Sequence, residues 1–566
     1  MTTLDWIILG ATLTFIISYG IYKNRSNKNI EGFFLGNKSL PWYHVGLSVM
    51  ATQASAITFL SAPGQAFNDG MSFVQFYFGL PLAMVVLSIT FIPIFHRLKV
   101  YTAYEYLETR FDSRVRVFTA ILFLIQRGLA TGISIYAPSI ILSTIFGWDI
   151  FWTNALMGGI VLTYTIIGGT KAISYTHIQQ MLIVTFSMIL AAVLIVNMLP
   201  PDVGFVDAVK IAGKAGKTNI IDLEFNPKEK YNVWSGILGG FFLQLSYFGT
   251  DQSQVGRYLT GKSVTQSRLG LLFNGLIKVP MQFGILLIGV LVYVFYLFNS
   301  SPVFFNTAET AKLQNSIYAE EFKSLEDQYA VESAHKNEAV YLLHESIKAE
   351  DEGKIESARA VILGADATIK SIKKKVSELI TLSNPEGDSK DVNYVFIRFI
   401  LDHLPHGLIG LLIAVIFSAS MGAVASSYNS LAATTVVDVL KKSSSRSYSE
   451  STELLISKGI TVFWAVFCIV VAFYASKLGS SMIELVNVLG SLFYGVILGI
   501  FLVAFYNKSI QGKAIFYSAI ISELCIFLIW KYEFVSYLWL NPIGCILVFI
   551  FAWTFQQLLR TKTDAN

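Results

Sequence analysis

Residues 45–67 read VGLSVMATQASAITFLSAPGQAF, and this stretch governs how the rest of the chain is understood. It is long enough to cross a bilayer, whose hydrocarbon core of roughly 30 Å takes about 20 apolar residues. Yet Ala, Ser, Thr and Gly dominate it, and Pro63 falls within it. A second stretch of this kind, GGFFLQLSYFGTDQSQVGRYL at 239–259, carries Gly249-Thr250-Asp251-Gln252 in its second half. Irregular backbone at membrane depth survives only where it is buried in protein or lines a cavity, and there freed carbonyls can hold a cation. The composition predicts helix breaks near 51–55 and 246–251. Close helix packing through small residues is the competing explanation.

The surrounding chain supports a membrane setting. Of 566 residues, 54% are hydrophobic and 14% charged, with a mean hydropathy of +0.57, more apolar surface than a soluble fold can hide. Cys468, Cys525 and Cys545 all lie in apolar runs and form no CxxC pair, so they indicate neither a disulfide framework nor a metal site. The first apolar run has no basic residue before it and no small-residue cleavage site after it, which favours a retained helix over a signal peptide. Apolar runs begin near positions 5, 43, 72, 114, 150, 177, 233, 266, 405, 458, 481, 512 and 534, so an all-α polytopic protein with about 13 transmembrane helices is expected.

Lys and Arg orient these spans. One set of loops collects Lys23, Arg25, Lys28 and Lys38; Arg97, Lys99, Arg110, Arg114 and Arg116; Arg257, Lys262 and Arg268; Lys441, Lys442 and Arg446; and Arg560 and Lys562. The opposite connections near 148, 476 and 531 contribute only Lys477 and Lys531, and the loop 200–232 balances five lysines with five acids. This asymmetry places the N-terminus outside and the C-terminus in the cytoplasm. The expected location is the plasma membrane, the inner membrane in a bacterium.

Residues 301–393 differ, with 11 Lys+Arg against 17 Asp+Glu, a net of −6. Val340, Leu343 and Ile347, then Ile355, Ala358 and Ile362, recur at helical spacing with Gly353 between the two sets, which predicts an extracytoplasmic helical hairpin. A mobile loop is the alternative. The chain accordingly divides into 1–42 (first helix and loop), 43–300 (core helices one to seven), 301–393 (the insertion), 394–507 (core helices eight to ten) and 508–566 (two last helices and tail).

Four motifs, in order, carry a family resemblance. They are FFLGNKSLPWYHVGLSVMAT at 33–52, TDQSQVGRYLTGKSV at 250–264, SYNSLAATTVVDVLKK at 427–442 and VNVLGSLFYGVILGIFLVAFYNK at 486–508. Together they resemble the sodium:solute symporter family over about residues 30–530. The resemblance implies a LeuT-type core of two inverted five-helix repeats, with additional helices before and after it. It implies a secondary active transporter that couples a cation, Na+ by family, to a small polar organic solute. By the same resemblance Tyr247 is an inner gate, and Lys278 matches a lysine that galactose transporters use at their sugar. The remaining substrate positions it suggests are Thr58, Tyr77, Gln244 and Asn487, with Thr58 and Tyr77 standing where sugar-binding members have a glutamine and a glutamate.

Charged residues within spans are costly and point to function. Arg127, in LFLIQRGLATG, falls mid-span and is expected to face a cavity, a substrate carboxylate or a buried acid, unless it snorkels. For Lys278 a structural pairing with a helix terminus is the alternative.

The family's Na+ seat departs from its pattern. Its carbonyl positions fall on Ala51, Ala54 and Ala419, but its two hydroxyl positions fall on Gly422 and Ala423. Ser55, Ser420 or Ser426 would have to supply side-chain oxygen. His177 stands in place of a family aspartate, and Thr170 in place of a larger apolar residue. Histidine titrates near neutral pH, so altered Na+ dependence and a pH dependence through His177 are expected.

Rival functions are weaker. A transporter-fold sensor, or an uncoupled or H+-linked carrier, fits the altered ion seat. A membrane enzyme lacks a motif, since His344-Glu345 has no second histidine for HExxH, and no catalytic residue is assigned. Residues 256–263 match GxxxxGK[ST], but a phosphate loop needs a strand before it, so neither ATP nor nucleic acid is expected as a partner; membrane lipid is.

Overall fold

The computed structural model describes residues 1–23, 38–98, 100–385, 387–443, 449–475 and 481–563. Arg25, Lys28, Lys99, Arg446 and Lys477 lie outside the described residues, and the side chains of Lys23, Thr170, Arg560 and Lys562 are likewise not described. Every regular element among the described residues is helical, beside a single bridge between Leu40 and Gly261. Lipid explains this, because it offers no partner for backbone N–H and C=O groups, which must be satisfied within each segment.

Helix α1 (Thr3–Lys23) is followed by α2 (Trp42–Gln53) and α3 (Ala56–Asp69). The apolar segment 72–98 comes next in three short pieces, then α4 (Ser113–Phe146) and α5 (Ile150–Asn197). A π-helical turn at Ser235–Gly239 leads into α6 (Gly240–Thr250), α7 (Gln252–Tyr258) and the long α8 (Val264–Phe298). The hairpin α9 (Ala319–Lys348) and α10 (Glu352–Ser383) precedes α11 (Leu408–Thr434), α12 (Glu450–Ala475), α13 (Met482–Tyr506), α14 (Gly512–Lys531) and α15 (Leu540–Thr563).

Nine helical segments among the described residues are long and apolar enough to cross a membrane, or ten when α2 and α3 count as one broken span. The other three runs singled out by hydropathy are α1, the first part of α5 and the α6–α7 pair. Residues 150 and 177, expected to open separate spans, share one helix, because the Gly168-Gly169-Thr170-Lys171 stretch between them stays helical. At 1.5 Å per residue that helix is about 70 Å long, roughly twice the hydrocarbon thickness. Its apolar parts are 150–166 and 173–197.

Burial sorts the bundle into centre and rim. Helix α11 is the most enclosed span and α12 the least. Helix α8 packs on α2 and α3, with Gly289 so close to the Pro63 carbonyl that a Cβ there would stand 2.1 Å from its oxygen. Helix α11 packs on α5 and α4, and α13 on α15 and α6.

The hairpin turns at Ala349-Glu350-Asp351, with Glu350 at φ +54° and the Asp351 carboxylate accepting from Lys354 N. Gly353, which separates the two apolar sets in the sequence, sits in the first turn of α10. Val340, Leu343, Ile355, Ala358 and Ile362 are buried, while Ile347 is partly so. A second cluster, unmarked by the sequence pattern, joins Phe322, Leu325 and Tyr329 to Ile372, Val376 and Leu379. The hairpin docks on the loop 200–232 through His344 and Lys348 to Asp202 (3.2 and 3.1 Å) and Arg359 to the Lys214 carbonyl (3.0 Å).

Candidate functional site

The first break follows from small residues with no side chain to close it. Helix α2 ends at Gln53, Ala54 leaves helical geometry (φ −85°, ψ 73°) and Ser55 is extended (φ −80°, ψ −179°) before α3 begins. The halves meet at 57°. Ser55 caps α3 without a side-chain hydrogen bond, so that hydroxyl does not close the orphan backbone groups that helix ends leave. Ala51 and Ala54 are both buried here.

Helix α11 packs against this break, with Ala419, Gly422, Ala423 and Ser426 all buried. His177 of α5 reaches between them. Its Nδ1 lies 3.1 Å from Ser48 Oγ of α2, and a Cβ built on Gly422 would stand 2.7 Å from its Nε2 and 2.7 Å from Gln180 Oε1. The His177 ring and the Gln180 amide thus occupy the space a side chain at 422 would need. Of the hydroxyls that could complete an ion shell, Ser420 Oγ donates to the Ser134 carbonyl (3.1 Å), whereas Ser426 Oγ is buried with no partner among the described residues. The seat thus places backbone carbonyls and the Ser426 hydroxyl near an imidazole that stands against Gly422.

The second break is narrower than its composition suggests. Residues 246–250 stay helical and only Asp251 is extended (φ −78°, ψ 117°). Its carboxylate closes the gap. One oxygen accepts from Ser253 N (2.9 Å) and Ser253 Oγ (2.6 Å), which caps α7. The other pairs with the Arg127 guanidinium, Nε at 3.1 Å, and accepts from the Tyr494 hydroxyl (2.8 Å). Arg127 also donates to Tyr494 Oη (2.9 Å) and lies 5.3 Å from the Tyr247 ring centroid. Among the alternatives the sequence leaves open for Arg127, the structure shows a buried acid. Its charge is met inside the protein and not held open for a substrate carboxylate. Tyr247 accepts a hydrogen bond from Gln254 Nε2 (2.6 Å) beside this network.

Several sequence-suggested substrate positions carry unsatisfied polar atoms among the described residues. Gln53 Nε2 reaches Gln244 Oε1 at 3.4 Å, leaving Gln53 Oε1 and Gln244 Nε2 without partners among the described residues. Lys278 is fully buried, its Nζ has no hydrogen-bond partner among the described residues and sits 6.0 Å from the Tyr77 ring centroid. Asn487 Nδ2 is unpartnered, and Thr58 is buried near the start of α3. The pairing of Lys278 with a helix terminus, left open by its sequence context, is not seen. Unpaired buried polar groups cost about 1–3 kcal/mol each, so each of these calls for a partner or a compensating role.

Sequence reasoning missed Gln53, Asn274 and Gln282. Asn274, Lys278 and Gln282 recur every four residues along α8, and each retains a buried polar atom without a partner. A polar stripe with that period in an apolar span is the signal that could have found them.

Contacts at the two ends close the bundle. Ser481 Oγ of the α13 cap donates to Gln65 Oε1 of α3 (2.9 Å). At the end carrying the basic loops, Arg116 pairs with buried Asp438 (2.7 Å) and with Glu108 (2.6 Å). The GxxxxGK[ST]-like segment is split between α7, which holds Gly256, and the start of α8, where Ser263 Oγ accepts from Gln266 N (3.3 Å).

Known proteins resemble this chain in sequence and fold. A sequence model of the Sodium:solute symporter family matches residues 33–320 and 381–522. The human sodium/iodide cotransporter is 27% identical over 490 residues, 85% of this chain but 61% of the relative's own length. The human sodium-coupled monocarboxylate transporter 1 is 27% identical over 512 residues, 89% of this chain and 70% of that one. The chain thus spans less than two thirds of the iodide cotransporter it resembles. A solved Na+-coupled sialic acid symporter in a substrate-bound outward-open state superposes with a TM-score of 0.75 at 20% identity, covering 98% of both chains, which shows a shared fold. With its two broken helices and the family pattern matched over most of its length, this chain belongs to the sodium:solute symporter family, a family of membrane transporters.

Proposed function

We propose that this chain is a cation-coupled symporter of a small polar organic solute, working by alternating access. The observation that carries the proposal is the group of unpaired buried polar atoms on Gln53, Gln244, Lys278 and Asn487 beside a helix break. Backbone and side-chain groups left unmet on both sides of a broken span can hold solute at its middle. The Ser481–Gln65 contact and the Arg116–Asp438 pair would open in turn on opposite faces. Relatives whose names specify iodide or monocarboxylates with sodium support Na+ as the coupling ion.

Uptake into proteoliposomes, with imposed Na+ or H+ gradients and a panel of small organic solutes, tests this. Gradient-driven accumulation of one solute supports it; binding without accumulation points to a sensor. A second reading, weak or altered Na+ dependence, rests on the His177 ring beside Gly422. Steep, saturable Na+ dependence in the unmodified chain would remove it.

The proposal includes 13 spans in two inverted repeats of five helices, with the N-terminus outside and residues 301–393 outside the membrane. Cysteine placed at exposed Ser357 should react with an impermeant reagent in intact cells. Protection there, with labelling at Ser444 instead, would invert the topology.

A further inference from the structure

The hairpin segment is acidic overall, yet it turns lysines toward a cavity of about 800 Å³ beneath it. Three lysines on the cavity wall are paired there: Lys230 with Glu484 (2.6 Å), Lys336 with Asp366 (2.6 Å) and Lys373 with Asp391 (3.5 Å). Four more, Lys217, Lys370, Lys374 and Lys390, line the same space against Asp69 alone. Lys374 has Glu378 at 3.9 Å, but that acid is not part of the wall. Among the described residues of the wall, seven cations against four anions leave an excess of three positive charges. Lys370, Lys374 and Lys390 are exposed, so the excess meets solvent.

The cavity is also placed on a path. Its floor is the far end of α3 (Phe67, Asp69) and the start of α13 (Ser481, Glu484), directly over the Ser481–Gln65 contact. Tyr293 and Tyr296 of α8 supply apolar walls, and Lys217 Nζ and Lys336 Nζ lie 4.6 and 4.9 Å from the Tyr293 ring centroid. The two family-matched segments stop at 320 and resume at 381, so the wall bearing Lys336, Lys370, Lys373 and Lys374 lies outside the residues that the family model matches.

We propose that this cavity is a capture site for a small organic carboxylate, built by the inserted hairpin above the entrance to the central site. Excess positive charge in a walled cleft concentrates anions, and the aromatic faces accept an apolar body. The proposal rests on the symport reading for its purpose but not for its test. Burial pushes the Lys217 ammonium down to about 8, with Asp366 and Asp69 opposing and Lys336 and Lys370 reinforcing that shift. Capture should therefore weaken as pH rises through about 8, where that charge is lost.

The first measurement uses the purified full chain, acetylated with sulfo-NHS-acetate and read by mass spectrometry at each lysine. Nicotinate and L-lactate are the probes, and nicotinamide and lactamide the uncharged controls. At twice its Kd a carboxylate should slow labelling of Lys217 and Lys370 about threefold, as 1 + [L]/Kd requires, while Lys354 on the hairpin's outer face is unaffected. No protection by either anion, or equal protection by the amides, overturns the proposal. The second measurement replaces the three exposed lysines together, Lys370→Gln with Lys374→Gln and Lys390→Gln. Carboxylate uptake at low concentration should fall about tenfold with its plateau rate kept, and its salt dependence should flatten. Unchanged low-concentration uptake and salt slope overturn it. Protection without transport in the unmodified chain would leave the capture site standing and remove the symport reading; transport without protection would do the reverse.

Discussion

Where α6 gives way to α7 a carboxylate fills the break, and where α2 gives way to α3 no side chain does. Asp251 caps the helix it opens and binds Arg127 and Tyr494 in the same step, so its charges and donors are matched within the protein. Ser55 makes no capping bond, and the groups around it, Gln53 and Gln244 among them, keep atoms without partners. Two helix interruptions of similar composition thus serve different ends. The first keeps unmatched polar atoms beside it; the second is a joint held by a buried ion pair.

The strongest way to break this comparison is at Asp251. Asp251→Ala leaves the Arg127 guanidinium buried and unpaired, and should cost about 3–5 kcal/mol, seen as a large fall in the thermal midpoint of the purified protein. Combining it with Arg127→Met should recover most of the loss. A variant as stable as the parent would show that the second break is not held by its ions.

At the first break the next largest effect falls on Gly422. Gly422→Ser forces a Cβ into His177 and Gln180 and should cost about 1–3 kcal/mol, measured in the same way. Adding His177→Asp and Ala423→Ser makes room and restores the family's oxygens, so Na+ titration of uptake or stability should show stimulation in the triple variant. Absence of both the penalty and the rescue would separate His177 from the ion seat.

Lys278 sharpens the contrast between function and stability. Lys278→Met removes a buried amine that has no hydrogen-bond partner among the described residues, so stability should hold or rise. The KM for the transported solute should nevertheless rise about tenfold, equivalent to about 1.4 kcal/mol. Lost stability with unchanged KM would make Lys278 structural. The smallest effect belongs to Ser55→Ala, which removes no capping bond and should change stability by less than about 0.5 kcal/mol. A loss comparable to that of Asp251→Ala would mean that both breaks are closed alike.

How much of this was legible beforehand differs by residue. Arg127 announces itself as a charge in an apolar run, but its partner lies 124 positions away on another helix. His177 and Gly422 each stand out against the family pattern, yet nothing in the chain order says that they share one space. The stripe of Asn274, Lys278 and Gln282 was readable in principle, since its four-residue period is a local property.

The sequence by itself determined the class of the molecule. Bilayer insertion depends on the composition of contiguous runs, and the family motifs are contiguous too, so the membrane setting and the family emerge without coordinates. Ion pairing, steric exclusion and charge excess depend on which distant residues meet. Only the tertiary structure decided that Asp251 answers Arg127, that an imidazole stands where a side chain at 422 would go, and that an acidic hairpin turns a cationic lining inward. The first two contacts join residues more than a hundred positions apart and the third joins separate helices, and the periodicity of a sequence carries no information about which distant elements meet.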